Sequence, residues 1–83
     1  MSQNVAHRLG EQLTSARQRR GLTQEQVAEA AGMSRNHYQL LEIGLGNRST
    51  RAPANPRLTT LVTLAKVLDI ELPVLIRAIV DES

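Results

Sequence analysis

The sequence has 83 residues, no cysteine and a formal net charge of +2, which fits one small domain and excludes disulfide bonds and thiolate metal sites. No apolar run reaches membrane-spanning length and no signal core is visible, so we expect a cytoplasmic protein without a membrane partner. Residues 1–60 contain eight arginines and four glutamates, a balance of +4, whereas residues 61–83 have a balance of −2. The asymmetry fits an acidic partner, although an ordinary solvated surface explains it equally well.

Helix 1 is predicted over about residues 5–19, because apolar residues recur at steps of four, four and three from Val5 to Ala16. Gly21 is expected to end it in a left-handed conformation. The pattern predicts one apolar stripe that faces the core.

Two short helices with a tight link follow. Thr23 is a predicted N-cap, with Gln26 three residues later completing a capping box. Gly32 ends helix 2, and Ser34 caps helix 3, which is predicted over about residues 35–43. A link of about three residues requires the two helices to cross steeply.

The C-terminal part begins with a loop over residues 44–57 that is rich in Gly, Ser, Asn and Pro. Helix 4 is predicted over about 58–68, with Leu58 as the first residue of its apolar stripe. Helix 5, about 72–80, is apolar on nearly every side, so we expect part of it to contact a second copy of the chain. The residues expected at this dimer contact are Val74, Arg77, Ala78 and Ile79.

The outer face of helix 3 has an unusual composition. At about 100° per residue, Tyr38 and Leu41 define the inner face, and amide, guanidinium and aliphatic groups lie on the other side. This mixture suits the DNA major groove, where arginine pairs with guanine, amides pair with adenine and apolar groups contact thymine methyl groups. The residues expected to contact bases are Arg35, Asn36, Gln39 and Leu40.

Over residues 9–76 the chain resembles the Cro/phage-repressor type of helix-turn-helix protein, the XRE family. The resemblance rests on Leu22-Thr23-Gln24, Val27-Ala28, Gly32-Met33-Ser34, Tyr38, Leu41-Glu42, Gly44, Asn55-Pro56, Leu58, Leu61, Ala65 and Leu68 to Ile70. It implies an all-α fold, a compact five-helix bundle of the phage-repressor DNA-binding-domain type. In this fold residues 1–83 form a single domain and about 23–43 form the helix-turn-helix.

The resemblance also implies roles for individual residues. Arg17 and Glu42 match a structural ion pair that joins helix 1 to the end of helix 3, and Gln24 matches a phosphate contact. Including the long loop, the residues expected at phosphates are Gln24, Ser34, His37, Arg48, Arg51 and Arg57.

The loop departs from the family pattern, because eleven residues separate Gly44 from Pro56. Its arginines are interpreted as phosphate or minor-groove contacts, and the alternative is a disordered loop whose arginines only affect solubility. Ile43 and Leu45 are interpreted as anchors of the loop, or alternatively as contacts with DNA or a partner.

Together these features predict a sequence-specific, double-stranded DNA-binding transcriptional regulator, a nucleoid-associated homodimer on a palindromic operator. The alternative is a protein-interaction module, an antitoxin or adaptor with a protein partner. A binder without sequence preference is disfavoured by the modest charge. No enzyme activity, metal site, cofactor or small-molecule effector is expected, because no catalytic or ligand cluster is recognisable.

Overall fold

The computed structural model describes residues 1–80 as five α-helices, with no strand among these residues. The helices are α1 Gln3–Arg19, α2 Gln24–Ala30, α3 Arg35–Glu42, α4 Leu58–Val67 and α5 Leu72–Val80. The all-α prediction is confirmed. The predicted domain, residues 1–83, extends beyond the described residues. Asp81 and Glu82, which were counted in the charge balance, also lie outside them.

Side-chain caps explain where the first three helices begin. Ser2 accepts a hydrogen bond from the Val5 amide at 3.2 Å, so α1 starts two residues before the apolar stripe. The capping box is confirmed, because Thr23 Oγ1 accepts from the Gln26 amide at 3.0 Å and Gln26 Oε1 accepts from the Thr23 amide at 2.9 Å. Each cap satisfies amide groups that the first helical turn would leave unpaired.

The first four helices end in the same way. A residue with positive φ follows each helix, and the next residue donates its amide to the carbonyl five positions earlier, which is the Schellman arrangement. The residues with positive φ are Gly21, Gly32, Gly44 and Asp69. The hydrogen bonds from these amides to the earlier carbonyls are Leu22 to Arg17, Met33 to Ala28, Leu45 to Leu40 and Ile70 to Ala65. Three of the four positions carry glycine, the residue for which this conformation costs least.

The core is formed where α1 packs against α3 and α5, and where α2 packs against α3 and α4. Tyr38 is fully buried, which agrees with its predicted place in the core. After Tyr38, the largest fully buried side chains are aliphatic, and they are Leu9, Leu13, Leu41, Leu64, Leu75, Ile79 and Val27. Within the described residues, none of the buried residues is a polar or charged amino acid.

Two apolar residues were assigned to the wrong side of their helices. Leu58 is 66% exposed, because α4 reaches the core only from Leu61 onward. Ile79, expected at the dimer contact, is only 2% exposed. It lies one turn after Leu75 and joins the same core cluster, so it is not available to a second copy. Val74 and Arg77 remain exposed, and Ala78 is partly buried.

The crossing of α1 and α3 depends on a glycine that the sequence pattern did not identify. A Cβ on Gly10 would overlap the carbonyl oxygen of Glu42 at the end of α3. A Cβ on Gly44 would come within 3.2 Å of the Ala6 carbonyl oxygen. The two backbones therefore touch directly, which fixes the end of α3 against α1.

Candidate nucleic-acid interface

The two faces of α3 are clearly separated. Tyr38 and Leu41 are 0% and 2% exposed, whereas Arg35 and Asn36 are exposed and Gln39 is half-buried. The predicted orientation of the helix is therefore confirmed at these positions. Ser34 starts the helix by accepting from the His37 amide at 3.1 Å, and the His37 side chain is exposed.

Leu40 does not have the exposure that was predicted for it. It is 9% exposed and cannot present its side chain to a thymine methyl group. The reason lies in the turn that ends α3, where the Leu45 amide returns to the Leu40 carbonyl at 2.9 Å. A turn of this kind commonly brings apolar side chains at these two positions into contact. Leu45 thus anchors the loop, whereas Ile43 is 52% exposed and does not.

An ion pair joins α1 to the end of α3. Arg17 Nε donates to Glu42 Oε2 at 2.6 Å and Nη2 donates to Oε1 at 3.2 Å. The two side chains are 15% and 5% exposed. Arg17 Nη1 also donates to the Leu22 carbonyl at 3.0 Å, so one guanidinium holds both the pair and the start of the α1–α2 link. The contact predicted from the resemblance is present.

Two glutamines extend this network towards the outer face of α3. Gln24 Nε2 donates to Glu42 Oε1 at 2.9 Å, and Gln39 Nε2 donates to Gln24 Oε1 at 3.1 Å. Gln24, expected at a phosphate, thus has its amide turned inward against α3. The participation of Gln24 and Gln39 was not predicted, because it depends on how α2 crosses α3.

Clefts lie on both flanks of α3. One, of about 550 Å³, is lined by Arg17, Leu22, Thr23, Gln24, Glu25 and Arg35. The other, of about 390 Å³, is lined by His37, Asn55, Pro56, Arg57 and Thr60. Five of the residues predicted to contact DNA or to support the helix are therefore collected around α3, with cationic or hydrogen-bonding groups on each side.

Residues 8–78 match the family model described as a helix-turn-helix domain. The chain belongs to the helix-turn-helix domain family. Its α2 and α3 are the two helices of the motif, and the turn between them contains Gly32 with φ of 70°. The second helix of such a motif lies in the DNA major groove, so the family indicates DNA as a partner. A comparison with curated proteins found no similar sequence.

The loop of this helix-turn-helix protein, residues 44–57, has a defined conformation. Leu45 and Pro53 form an isolated antiparallel bridge, and the Gly46 amide donates to the Ala52 carbonyl at 2.7 Å. At the tip, Asn47 Oδ1 accepts from the Ser49 and Thr50 amides at 2.8 and 3.0 Å. These contacts do not agree with the alternative of a disordered loop. The arginines of the loop, Arg48 and Arg51, are exposed at this tip, and Arg51 has a positive φ of 57°.

The surroundings of Arg17 and Glu42 favour the charged form of both side chains. Burial alone would raise the pKa of Glu42, but hydrogen bonds from Arg17 and Gln24, together with the nearby Tyr38 hydroxyl, outweigh it and lower the pKa below its ordinary value. The hydrogen bond to Glu42 raises the pKa of Arg17. Burial, with the nearby Glu42 carboxylate, raises the pKa of Tyr38. The Tyr38 hydroxyl itself is buried and has no hydrogen-bond partner among the described residues.

Residues 1–80 contain no group of three or more His, Asp or Glu side chains placed to hold a metal ion. His7 lies 3.8 Å from Glu11 on the exposed side of α1. No helix among these residues combines the length and apolar character that crossing a bilayer requires.

Proposed function

We propose that this helix-turn-helix protein is a sequence-specific transcriptional regulator of the Cro/phage-repressor type that acts by binding DNA and is not an enzyme. The observation that carries the proposal is the exposure of Arg35 and Asn36 on a helix whose other side is fixed by the core. Arginine and asparagine recognise guanine and adenine edges in the major groove. Because α3 is held by buried contacts, its outer face can enter the groove without reorganisation.

The flanks of α3 support the same mode of binding. A helix in the major groove has a phosphate backbone on each side. Arg17, Gln24 and Arg35 line one cleft, and His37 and Arg57 line the other. In the proposed complex His37, Arg48, Arg51 and Arg57 contact phosphates and set the register of α3, while the outer face of α3 selects the sequence.

The proposed oligomer is a homodimer in which α5 supplies the contact. Val74 and Val80 are 52% and 54% exposed and lie on the same helix as the exposed Arg77. A two-fold pair would place two α3 helices on half-sites about 34 Å apart on an approximately palindromic operator. The proposed location is the nucleoid in the cytoplasm.

The decisive experiment selects bound sequences from random double-stranded DNA and then compares variants on the selected site. Arg35→Ala is expected to cost ~1–3 kcal/mol on this site and to relax the preference at one base pair. Arg51→Ala is expected to weaken all sequences alike and to reduce the slope of log affinity against log salt by about 0.9. Lys66→Ala, an exposed cation on the last turn of α4, is the matched control and should change neither quantity.

The result that contradicts the proposal is equal weakening of selected and scrambled DNA by Arg35→Ala, or no selected sequence at all. In the latter case the exposed valines of α5 favour the alternative, a protein-interaction module of the antitoxin or adaptor kind. Retention of a defined protein partner by the wild type, and its loss in Val74→Glu, would support that alternative.

A further inference from the structure

The chain of hydrogen bonds from Arg17 to Gln39 has only one allowed direction. Arg17 is a permanent cation with donors alone, so Glu42 must accept both of its bonds as an ionised carboxylate. A carboxylate in this state has no hydrogen to donate. Any further partner of Glu42 must therefore approach with a donor.

That partner is Gln24, and its orientation follows from the charge. Gln24 must place its amino group against Glu42 Oε1, at 2.9 Å, because its carbonyl oxygen there would face another acceptor. The carbonyl oxygen of Gln24 is then turned towards Gln39. The bond of 3.1 Å between them requires Gln39 to supply its amino group.

The fixed order of donors and acceptors therefore extends to Gln39 on the outer face of α3. The carbonyl oxygen of Gln39 accepts no hydrogen bond within residues 1–80, and one of its two amide hydrogens also remains free. This oxygen is not fully buried, because the only buried side-chain polar atom without a partner in the described residues is the Tyr38 hydroxyl.

The position of Gln39 on the helix places this oxygen among the proposed base contacts. At about 100° per residue, Gln39 lies about 40° from Arg35 and about 60° from Asn36 around the axis. All three thus share one sector of α3, with the fully buried Tyr38 turned away from it.

We infer that Gln39 recognises adenine in one fixed orientation. Its carbonyl oxygen accepts from the exocyclic N6 amino group, and its free amide hydrogen is donated to N7. Gln24 is the positioning residue that sets this orientation, and the Arg17–Glu42 pair imposes it on Gln24. The inference rests on the proposed function, since it names the base read at one position of the same site.

The fixed orientation explains why other bases are rejected. Guanine presents acceptors at both O6 and N7, and thymine presents an acceptor at O4, so the carbonyl oxygen of Gln39 would face an acceptor on either base. Rotating the Gln39 amide to suit them would turn its oxygen against the carbonyl oxygen of Gln24. Cytosine offers a single donor at N4 and can satisfy only one of the two groups.

The test is the base preference of wild type, Gln39→Ala and Gln24→Ala, measured on operators that differ at one base pair. The wild type is expected to prefer adenine over guanine at one position by roughly 5- to 150-fold. Gln39→Ala should abolish this preference. Gln24→Ala should reduce it several-fold at the same position and leave the preference at the Arg35-dependent position unchanged, because the freed amide can rotate.

Controls separate positioning from other roles. Gln18→Ala changes an exposed glutamine on α1 and should leave every preference intact. A direct phosphate contact by Gln24 would weaken all operators equally, so it would not alter a ratio between bases. If Gln24→Ala does not fold, Gln24→Met, which keeps the length of the side chain without its hydrogen bonds, takes its place.

Three outcomes overturn the inference while leaving the proposed function intact. They are an unchanged adenine preference in Gln24→Ala, an unchanged preference in Gln39→Ala, and a Gln39-dependent position that selects guanine or thymine. If the wild type selects no sequence, the proposed function itself fails, and the two failures are thus distinguishable.

Discussion

Replacing Glu42 by glutamine is expected to destabilise the fold at neutral pH, because the guanidinium of Arg17 loses its counter-charge in a place with little solvent. The two side chains are only 15% and 5% exposed, so screening by water is weak. Breaking one side of a buried pair costs ~3–5 kcal/mol, and we expect about 3 kcal/mol because glutamine still offers a carbonyl oxygen. For a domain of this size that is a fall in Tm of roughly 12–24 °C.

The effect should depend on pH in a defined direction. The pKa of Glu42 is lowered in the folded protein, mainly by hydrogen bonds that overcome the opposing effect of burial. As the pH falls below about 4.5, the unfolded chain takes up a proton that the folded chain still lacks, so the contribution of the ionised carboxylate is lost through the folded pKa. The difference between wild type and Glu42→Gln should therefore be largest at pH 6–7 and shrink at acid pH.

Urea unfolding at a series of pH values measures this difference directly. Glu29→Gln is the matched control, because Glu29 is exposed on α2 and is in none of the ion pairs found in residues 1–80. It should follow the wild type within ~0.5 kcal/mol at every pH. A Glu42→Gln variant as stable as this control, or a difference that does not change between pH 7 and pH 3, would refute the assigned role of the pair.

Three further predictions concern packing and assembly. Gly10→Ala should lower the free energy of unfolding by ~1–3 kcal/mol, despite the better helix propensity of alanine, because its Cβ overlaps the Glu42 carbonyl oxygen; a higher Tm would contradict this. Asp69→Gly should raise the free energy of unfolding by ~0.5–1 kcal/mol by relieving the positive φ of 56°, and an unchanged thermal midpoint would contradict it. Val74→Glu should convert the proposed dimer to monomer in sedimentation experiments while leaving the helical circular dichroism intact, and an unchanged mass or a wild type that is already monomeric would count against the α5 contact.

Helix boundaries were largely predictable because they depend on a few neighbouring residues. Thr23 and Gln26 form their capping box from side chains three positions apart, and the glycines after α1, α2 and α3 adopt the conformation that the sequence favours. The start of α1 was missed by two residues, since Ser2 caps the helix ahead of its apolar stripe. Such local signals need no knowledge of the tertiary fold.

Side-chain burial was less predictable where it depends on distant neighbours. Leu58 and Ile79 have the same character as residues around them, and only the packing of α4 and α5 decides that one is exposed and the other buried. Leu40 shows the same difficulty on α3, where its backbone carbonyl is bound by the turn that follows the helix. The glutamine network was missed for a related reason, since its partners lie on different helices.

The contacts at the end of α3 stabilise the fold and, in the proposed complex, also affect base recognition. The α3 backbone touches Gly10 of α1, its Glu42 side chain binds Arg17, and the same carboxylate orients Gln24. A helix held at both backbone and side chain cannot rotate to suit a mismatched base. A mismatch therefore lowers the affinity, because the helix does not adjust its position. In the proposed complex the pair therefore contributes to discrimination, although it lies behind the proposed DNA-binding face. It follows that substitutions in the pair should change stability and base preference together, whereas Arg35→Ala should change base preference alone.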